Sequence, residues 1–597
     1  MGKFNSTVAL CALLALPLPS IAVISDSFTA FANTTYDFVI VGANAGAVLA
    51  NRLTENPRWK VLLIEAGPSH EDVFDTKVPA FVGRLQGTPY DWNYTTVPQT
   101  GLNDRVIKFP RGHILGGCSS IDGVFYTRGS SSDYDRWAKV TGDSGWSWKR
   151  LLPYFLKNER WINPADNHDT TGEYDPRFHS TRGLTYVTAP NSPQAIDPKV
   201  IQASRELGGE FKYNIDINSG DELGIGWNHA TVGHGERSSA ATSYLAPKYV
   251  ARENLHILVG HRVTRVLKTS SQGGLPSLRT VQFTPQRTST GSLANPLYEV
   301  TARKEVLLSA GVVGTTQILL LSGVGNATEL KELEIQQTVD LPDVGKNMSE
   351  QPIFFLTWTL GINDTVVPTE EMQTQWLAEW KANRTGPLTG IGVNTLGWLR
   401  IPDNSSVWEN HKDPSSGKNT PHIELGWEGG GLYPLPGSAI RGVIIPLQPE
   451  SRGTIWLKSS DPFDDPFIDF GFFNSELDLL TIKEGVNALK RFFAAPAWKD
   501  YRLSIQSDFP ENDEAALDEY IRNATDHAAH PVGTASMSAK GAKNGVVDPD
   551  LKLKKATGLR VVDASVMPYI PAGHTQAAVY AIAERAADLI KASWERL

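Results

Sequence analysis

Three groups of residues in this 597-residue chain have types and spacings suited to chemistry. The first is Gly42-Ala43-Asn44-Ala45-Gly46, a glycine-bounded turn between the apolar run Tyr36-Asp37-Phe38-Val39-Ile40-Val41 and a helical pattern with Ala45, Leu49 and Leu53 on one face. Glycines at such a turn let a backbone approach a pyrophosphate, and the helix start offers free N–H groups and the positive end of its dipole. The second is Glu65, nineteen residues beyond Gly46 at the end of a second apolar run, Val61-Leu62-Leu63-Ile64. There a carboxylate accepts hydrogen bonds from a ribose, and the lack of a basic residue directly after it favours FAD or NAD over a 2′-phosphorylated cofactor. The third group is His530 and His574, both in loops bounded by Gly and Pro. An imidazole with a free pKa near ~6.5 can take a proton from a hydroxyl without large perturbation. His527 and His530 also form H-x-x-H, but no third ligand stands at a recognised spacing, so no metal is expected.

The elements that must position these groups follow from the same patterns. The opening strand–helix–strand has the size of a βαβ unit at the start of a dinucleotide-binding fold. Val306-Leu307-Leu308 leads into Ala310-Gly311 and a helix through Leu321; Leu559-Arg560-Val561-Val562 leads to Asp563, and an Ala-rich helix runs from about Gln576 to Trp594. Between these segments the chain is rich in Trp, Pro, Gly and polar loops. The expected class is therefore α/β, with a discontinuous Rossmann-like nucleotide domain (36–119, 231–349 and 530–597) and an inserted α+β substrate-binding domain (120–230 and 350–529).

A formal net charge of −9, and no Lys/Arg-rich run, argue against nucleic acid and anionic lipid as partners. Lys3, the apolar stretch Val8 to Leu18 and Ser20-Ile21-Ala22 read as a signal peptide, 1–22, with an alternative cut after Ala32. The apolar run is far below the ~20 residues of a membrane-spanning helix. The chain is expected to be secreted. Glycosylation sequons at Asn33, Asn93, Asn326, Asn347, Asn363, Asn383, Asn404 and Asn523 fit that compartment. Only Cys118 would remain after the leader, so no internal disulfide is expected; a core this large can do without one.

Six blocks, in order, carry a family resemblance across residues 36 to 593. They are the Gly42–Leu53 turn and helix; Pro110-Arg111-Gly112-His113-Ile114-Leu115-Gly116-Gly117-Cys118-Ser119-Ser120; Ser309-Ala310-Gly311 through Gly325; Val344-Gly345-Lys346-Asn347-Met348; His530-Pro531-Val532-Gly533-Thr534; and Val561-Val562-Asp563-Ala564-Ser565. Together they resemble the glucose–methanol–choline oxidoreductases, and Asp91-Trp92-Asn93-Tyr94 is most similar to the aryl-alcohol oxidases among them. The resemblance implies FAD as cofactor, with Gly42, Asn44, Ala45, Gly46, Glu65, Gly116, Ser120, Asp122, Val263, Asp563, Ala564, Thr575 and Gln576 around it. It implies a small-molecule primary alcohol, aromatic or aliphatic, oxidised to the aldehyde, with O2 or a quinone taking the electrons. His530 would be the base while a hydride leaves for flavin N5; His574 would hold the substrate oxygen.

The departures from that family are specific. Gly42 and Gly46 are one residue closer than in G-x-G-x-x-G, and the central glycine is missing. Asp122 replaces an Asn or His, Glu350-Gln351 replaces Asp-His, and Ala529 stands where aryl-alcohol oxidases carry a bulky aromatic, which predicts a wider or differently lined pocket. Cys118 is read as a small residue in a tight turn. Two alternatives stay open on sequence: a hydroxynitrile lyase on the same fold, and a non-catalytic homologue with an impaired cofactor loop.

Overall fold

The computed structural model describes residues 24–31, 34–286, 296–363, 367–430, 432, 435 and 438–595. The leader 1–22, the second cut after Ala32 and the sequon Asn33 lie outside the described residues. Among those described, no helix is long and apolar enough to cross a membrane.

Two large sheets organise the chain. In the first, parallel strands run in the order Ile24–Ser25, Leu255–Leu258, Val61–Ile64, Tyr36–Val41, Tyr298–Leu308, and Leu559–Val561 joins the last of these. Tyr36–Val41 is buried at all six positions, as a parallel strand covered on both faces must be. Tyr298–Leu308 is split between two tasks. Its first half pairs antiparallel with Leu275–Pro285, part of a hairpin with His261–Gln272, and its second half lies beside Tyr36–Val41. Helix Ala45–Leu53, wholly buried, packs on the parallel strands, and Gln576–Trp594, buried along its inner face, packs against that helix. The carboxyl ends of four strands, at Val41, Ile64, Leu308 and Val561, open at one edge, where such folds bind ligands.

The second sheet is antiparallel, in the order Ser504–Ile505, Pro352–Thr359, Ala439–Pro446, Ile423–Glu428, Thr395–Leu399, Gly224–Trp227. Alternation gives it two faces. Phe354, Leu356, Ile440, Ile444 and Leu425 pack on the helix Glu476–Phe493 through Ile482, Val486 and Leu489. Ile353, Phe355, Val443, Ile445, Glu424, Gly426 and Glu428 face a cavity shared with the first sheet. The strands of the two sheets come from different stretches of chain, and the cavity lies between them.

Candidate active site

The cavity, about 450 Å³, runs from the strand ends of the first sheet to the face of the second. At the first end Gly42, with φ +89°, is pressed against Ser309, where a Cβ would stand 2.4 Å from the carbonyl oxygen. Only glycine fits there. The helix Ala45–Leu53 begins with Asn44, whose side chain makes no capping bond and whose Oδ1 is buried without a partner. A short turn with positive φ at Gly116 and Gly117 brings Gly117 to Asn44, where an added Cβ would sit 3.1 Å from the Asn44 Cβ. Glu65 accepts from Ala43 N and Gly67 N, both at 2.9 Å. Burial pushes its carboxyl up to about 7, against the pull of those two N–H groups. A helix start with free N–H donors, an orphaned buried amide oxygen that can accept, and a carboxylate acceptor at the neighbouring strand end are groups that suit a dinucleotide. FAD fits these residues, and the turn shortened by one residue still leaves Gly42 through Ala45 on the wall.

Asp563 closes the same end. Its Oδ2 accepts from Gly311 N at 2.9 Å and Thr315 Oγ1 at 2.6 Å, and Oδ1 accepts from Ser565 N at 2.9 Å. It thereby ties the last strand to the start of the helix Gly311–Leu321. Asp122 accepts from Arg237 Nη1 at 2.6 Å and Val124 N at 3.0 Å; burial raises its carboxyl, opposed by Arg237.

Of the residues expected around the cofactor, Gly42, Asn44, Ala45, Glu65, Asp122, Val263, Asp563, Ala564, Thr575 and Gln576 line this cavity. Gly46, Gly116 and Ser120 stand just behind its wall. A Cβ on Gly46 would meet Ile40 Cγ2 at 2.8 Å, so Gly46 serves the packing of helix on strand. Gly116 supplies a left-handed turn, and Ser120 Oγ donates to Leu115 O at 2.9 Å to hold it.

At the other end His530 and His574 meet, their ring centres 4.6 Å apart and their planes at 81°. His530 rides on a short loop. Ser349 bridges Val532, and Pro352 pairs with His527, so the two residues Glu350-Gln351 oppose the four residues Ala528–Pro531. The excess chain is taken up at Ala529, φ +63°, a left-handed conformation costly for a residue with a Cβ. Arg111 holds this bend, donating from Nη1 to Ala529 O at 3.0 Å and from Nη2 to Cys118 Sγ at 3.0 Å. His530 N donates to Glu350 Oε1 at 2.8 Å, and its ring Nδ1 lies 2.7 Å from Gln351 Oε1. Burial holds the His530 imidazole well below its ordinary value, helped by the positive fields of His574, Arg111 and His527.

His574 follows a Pro571-Ala572-Gly573 turn. Ala572 N donates to Asp133 Oδ2 at 2.8 Å and His574 N to Thr127 Oγ1 at 2.8 Å. Its ring stacks on Phe125, with centres 4.3 Å apart and planes at 2°, and Nε2 lies 3.0 Å from Glu424 Oε1. Sequence reading missed Glu424. The signal was present in Ile423-Glu424-Leu425-Gly426-Trp427-Glu428, where carboxylates alternate with apolar residues in an otherwise buried strand.

Two histidine clusters are tied into hydrogen bonds within the protein. His527 Nε2 lies 2.9 Å from Lys108 O, while His530 is turned to Gln351. Among the described residues His179, Asp216 and His229 bring possible ligand atoms within 4.8 Å of one another. Both ring nitrogens of His179 face carboxylates, Glu159 and Asp216; burial alone would lower its pKa, but these acids raise it. Asn218 accepts from Arg128 N at 2.7 Å and donates to Tyr126 O at 3.0 Å, which fixes its amide; its Nδ2 then donates to His229 Nδ1 at 2.9 Å, so His229 carries its hydrogen on Nε2. With the Arg128–Glu159 pair these groups form a buried ionic network.

Comparison with known proteins gives one consistent result. Residues 34–353 match the GMC oxidoreductase N-terminal family and residues 449–583 its C-terminal counterpart. The chain is 40% identical to Dehydrogenase eriK of Hericium erinaceus over 98% of its own length and 99% of the relative's. It is 39% identical to Pyranose dehydrogenase 3 of Leucoagaricus meleagris over 94% of this chain and 93% of that one. Among solved structures, an FAD-dependent oxidoreductase from Chaetomium thermophilum superposes with a TM-score of 0.83 at 28% identity, over 94% of this chain and 100% of the other. A fungal aryl-alcohol oxidase superposes at 0.81 and 28% identity, over 94% and 99%.

Proposed function

We propose, since this chain belongs to the GMC oxidoreductase family, that it is a secreted, glycosylated dehydrogenase which oxidises a CH–OH group of a sugar and passes the electrons to a quinone. Its cofactor is FAD, which supplies the two-electron acceptor for the carbinol carbon. The observation that carries the reading is the meeting of His530 and His574 at the far end of the groove whose near end holds Gly42, Asn44 and Glu65.

The residues divide the work. Gly42 to Ala45, Glu65 and Asp563 hold the cofactor along the strand ends. His530, buried and neutral, accepts the hydroxyl proton of the substrate. His574, its ring fixed between Phe125 and Glu424, binds the same oxygen and shares the charge that develops on it. The buried walls exclude water.

Two features favour a polyhydroxylated substrate over an aryl alcohol. Glu424 and Glu428 project from one strand into the cavity on either side of Gly426, and a carboxyl oxygen is an acceptor suited to hydroxyls. The curated relatives include pyranose dehydrogenases. The leader and the exposed sequons at Asn93, Asn363, Asn383, Asn404 and Asn523 support export.

The purified protein is expected to be yellow, to bleach anaerobically with aldopyranoses faster than with benzylic alcohols, and to recover its colour with benzoquinone. Rapid recovery with O2 and peroxide formation would make it an oxidase instead. A colourless protein that takes up no FAD would end the reading altogether.

A further inference from the structure

The loop that carries His530 is opposed by only two residues, and one of them bears a side chain whose orientation can be settled from its neighbours. Gln351 Nε2 lies 2.9 Å from Leu447 O and 3.3 Å from Pro571 O. Both are backbone carbonyls, which only accept, so the NH2 end of the amide must point to them. The amide oxygen is thereby left facing His530 Nδ1 at 2.7 Å. An amide oxygen only accepts, so Nδ1 must carry the hydrogen, and Nε2 keeps the lone pair.

We propose that Gln351 is the positioning residue that holds His530 in the Nδ1–H tautomer, so that Nε2 is the atom that takes the substrate proton. This rests on the reading of His530 as the base. Gln351 is fully buried, and its own backbone is pinned: Ala528 N donates to Gln351 O at 2.9 Å, and Gln351 N donates to the Glu350 side chain at 3.1 Å. The side chain thus spans three pieces of the site: the His530 loop, the end of the strand Ala439–Pro446 at Leu447, and the Pro571 turn before His574. It sets the ring of one histidine while touching the turn that delivers the other.

The choice of an amide has a chemical consequence. A carboxylate on Nδ1 would favour the doubly protonated ring; a neutral acceptor fixes the tautomer without adding a negative field. The charged and titratable groups around His530 agree with that role. His574 comes from the facing turn, Arg111 from the segment after Lys108–Phe109, and His527 from the adjacent short strand; all three oppose a positive ring. Glu350 meets His530 only at its backbone N, and burial raises the Glu350 carboxyl to about 8. Asp526 acts on Glu350, and Glu424 acts on His574.

The test uses the FAD-loaded full chain with histidine nitrogens labelled, the His530 signals being assigned by their loss in His530→Ala. Nitrogen NMR should show a protonated Nδ1 and a bare Nε2 in the native protein. Gln351→Met, similar in size but without an acceptor, should lose that pattern. Its limiting rate of flavin reduction should fall by about tenfold or more, with KM and colour kept. Gln351→Glu should keep the hydrogen on Nδ1 but, as a carboxylate, favour a second one on Nε2, so that the bare Nε2 signal is lost near neutral pH. A native ring protonated at Nε2, or a Gln351→Met spectrum identical to the native one, overturns the proposal. The NMR result stands apart from catalysis: failure of every alcohol and sugar to bleach the native flavin would sink the proposed function while the tautomer is still read.

Discussion

His530 and His574 face one another across 4.6 Å, yet the two stretches that deliver them are built on opposite plans. His530 sits on surplus chain, four residues against two, with a left-handed alanine beside it and an uncharged amide on its ring. His574 sits in a compact proline–glycine turn just ahead of a long buried helix, with its ring flat on Phe125 and a carboxylate at Nε2. Gly573 has no room for a side chain, since a Cβ there would meet Thr127 Oγ1 at 2.8 Å. The difference teaches that paired imidazoles are made unequal by what lies behind them. In the proposed function, one is kept neutral and open, to receive a proton; the other is clamped, to hold the atom that gives it up.

The sharpest way to break this comparison is to delete each ring. His530→Ala should slow flavin reduction by roughly a thousandfold, within the range for loss of a general base, and leave the colour intact. His574→Ala should cost about a hundredfold, as for one lost partner of a developing oxyanion. Equal losses, measured by stopped-flow bleaching, would show that the two rings act as one unit.

A smaller effect separates their pH behaviour. The His530 pKa lies well below ~6.5, chiefly through burial, so the base form persists on the acid side of an ordinary histidine. The reduction rate should therefore stay level as pH falls through ~6.5, and drop only when His530 finally gains its proton. Glu424→Gln should lower the whole profile by about tenfold, through loss of the anion that orients His574, without moving that acid limb. A limb that moves with Glu424 would assign the titration to the wrong histidine.

Much of this was legible in the sequence. The continuous apolar runs at 36–41 and 61–64 and the Ala-rich C-terminal stretch mark elements buried on both sides, and the helix Gln576–Trp594 lies where its pattern predicts. The supports of the two histidines were not legible. Glu424 is 150 positions from His574 and Gln351 is 179 from His530, and only sheet pairing brings them close. Gln351 could be seen as a departure from a motif, but not as the partner of a particular nitrogen. Gly46, Gly116 and Ser120 show the converse: motif positions adjoin the cofactor wall without forming it, because a turn needs its own internal contacts. The Val8–Leu18 leader was read from composition alone.

The smallest predicted effect concerns the strained residue. Ala529→Gly should stabilise the protein by about 1 kcal/mol, the relief of a left-handed alanine less the added freedom of the unfolded chain, measured by chemical unfolding. No gain would mean that Arg111 imposes the bend at no cost, and the two histidine loops would then be equally relaxed.

The edge at which the cofactor groove opens has a consequence for how the protein is made. Its central strand, Tyr36–Val41, emerges among the first residues, its neighbour Tyr298–Leu308 halfway, and Leu559–Val561 with Asp563 nearly at the end. A nascent chain on the ribosome therefore owns the pyrophosphate turn long before it owns a closed cleft. The groove is complete only when the strand that leads to Asp563 has joined Tyr298–Leu308.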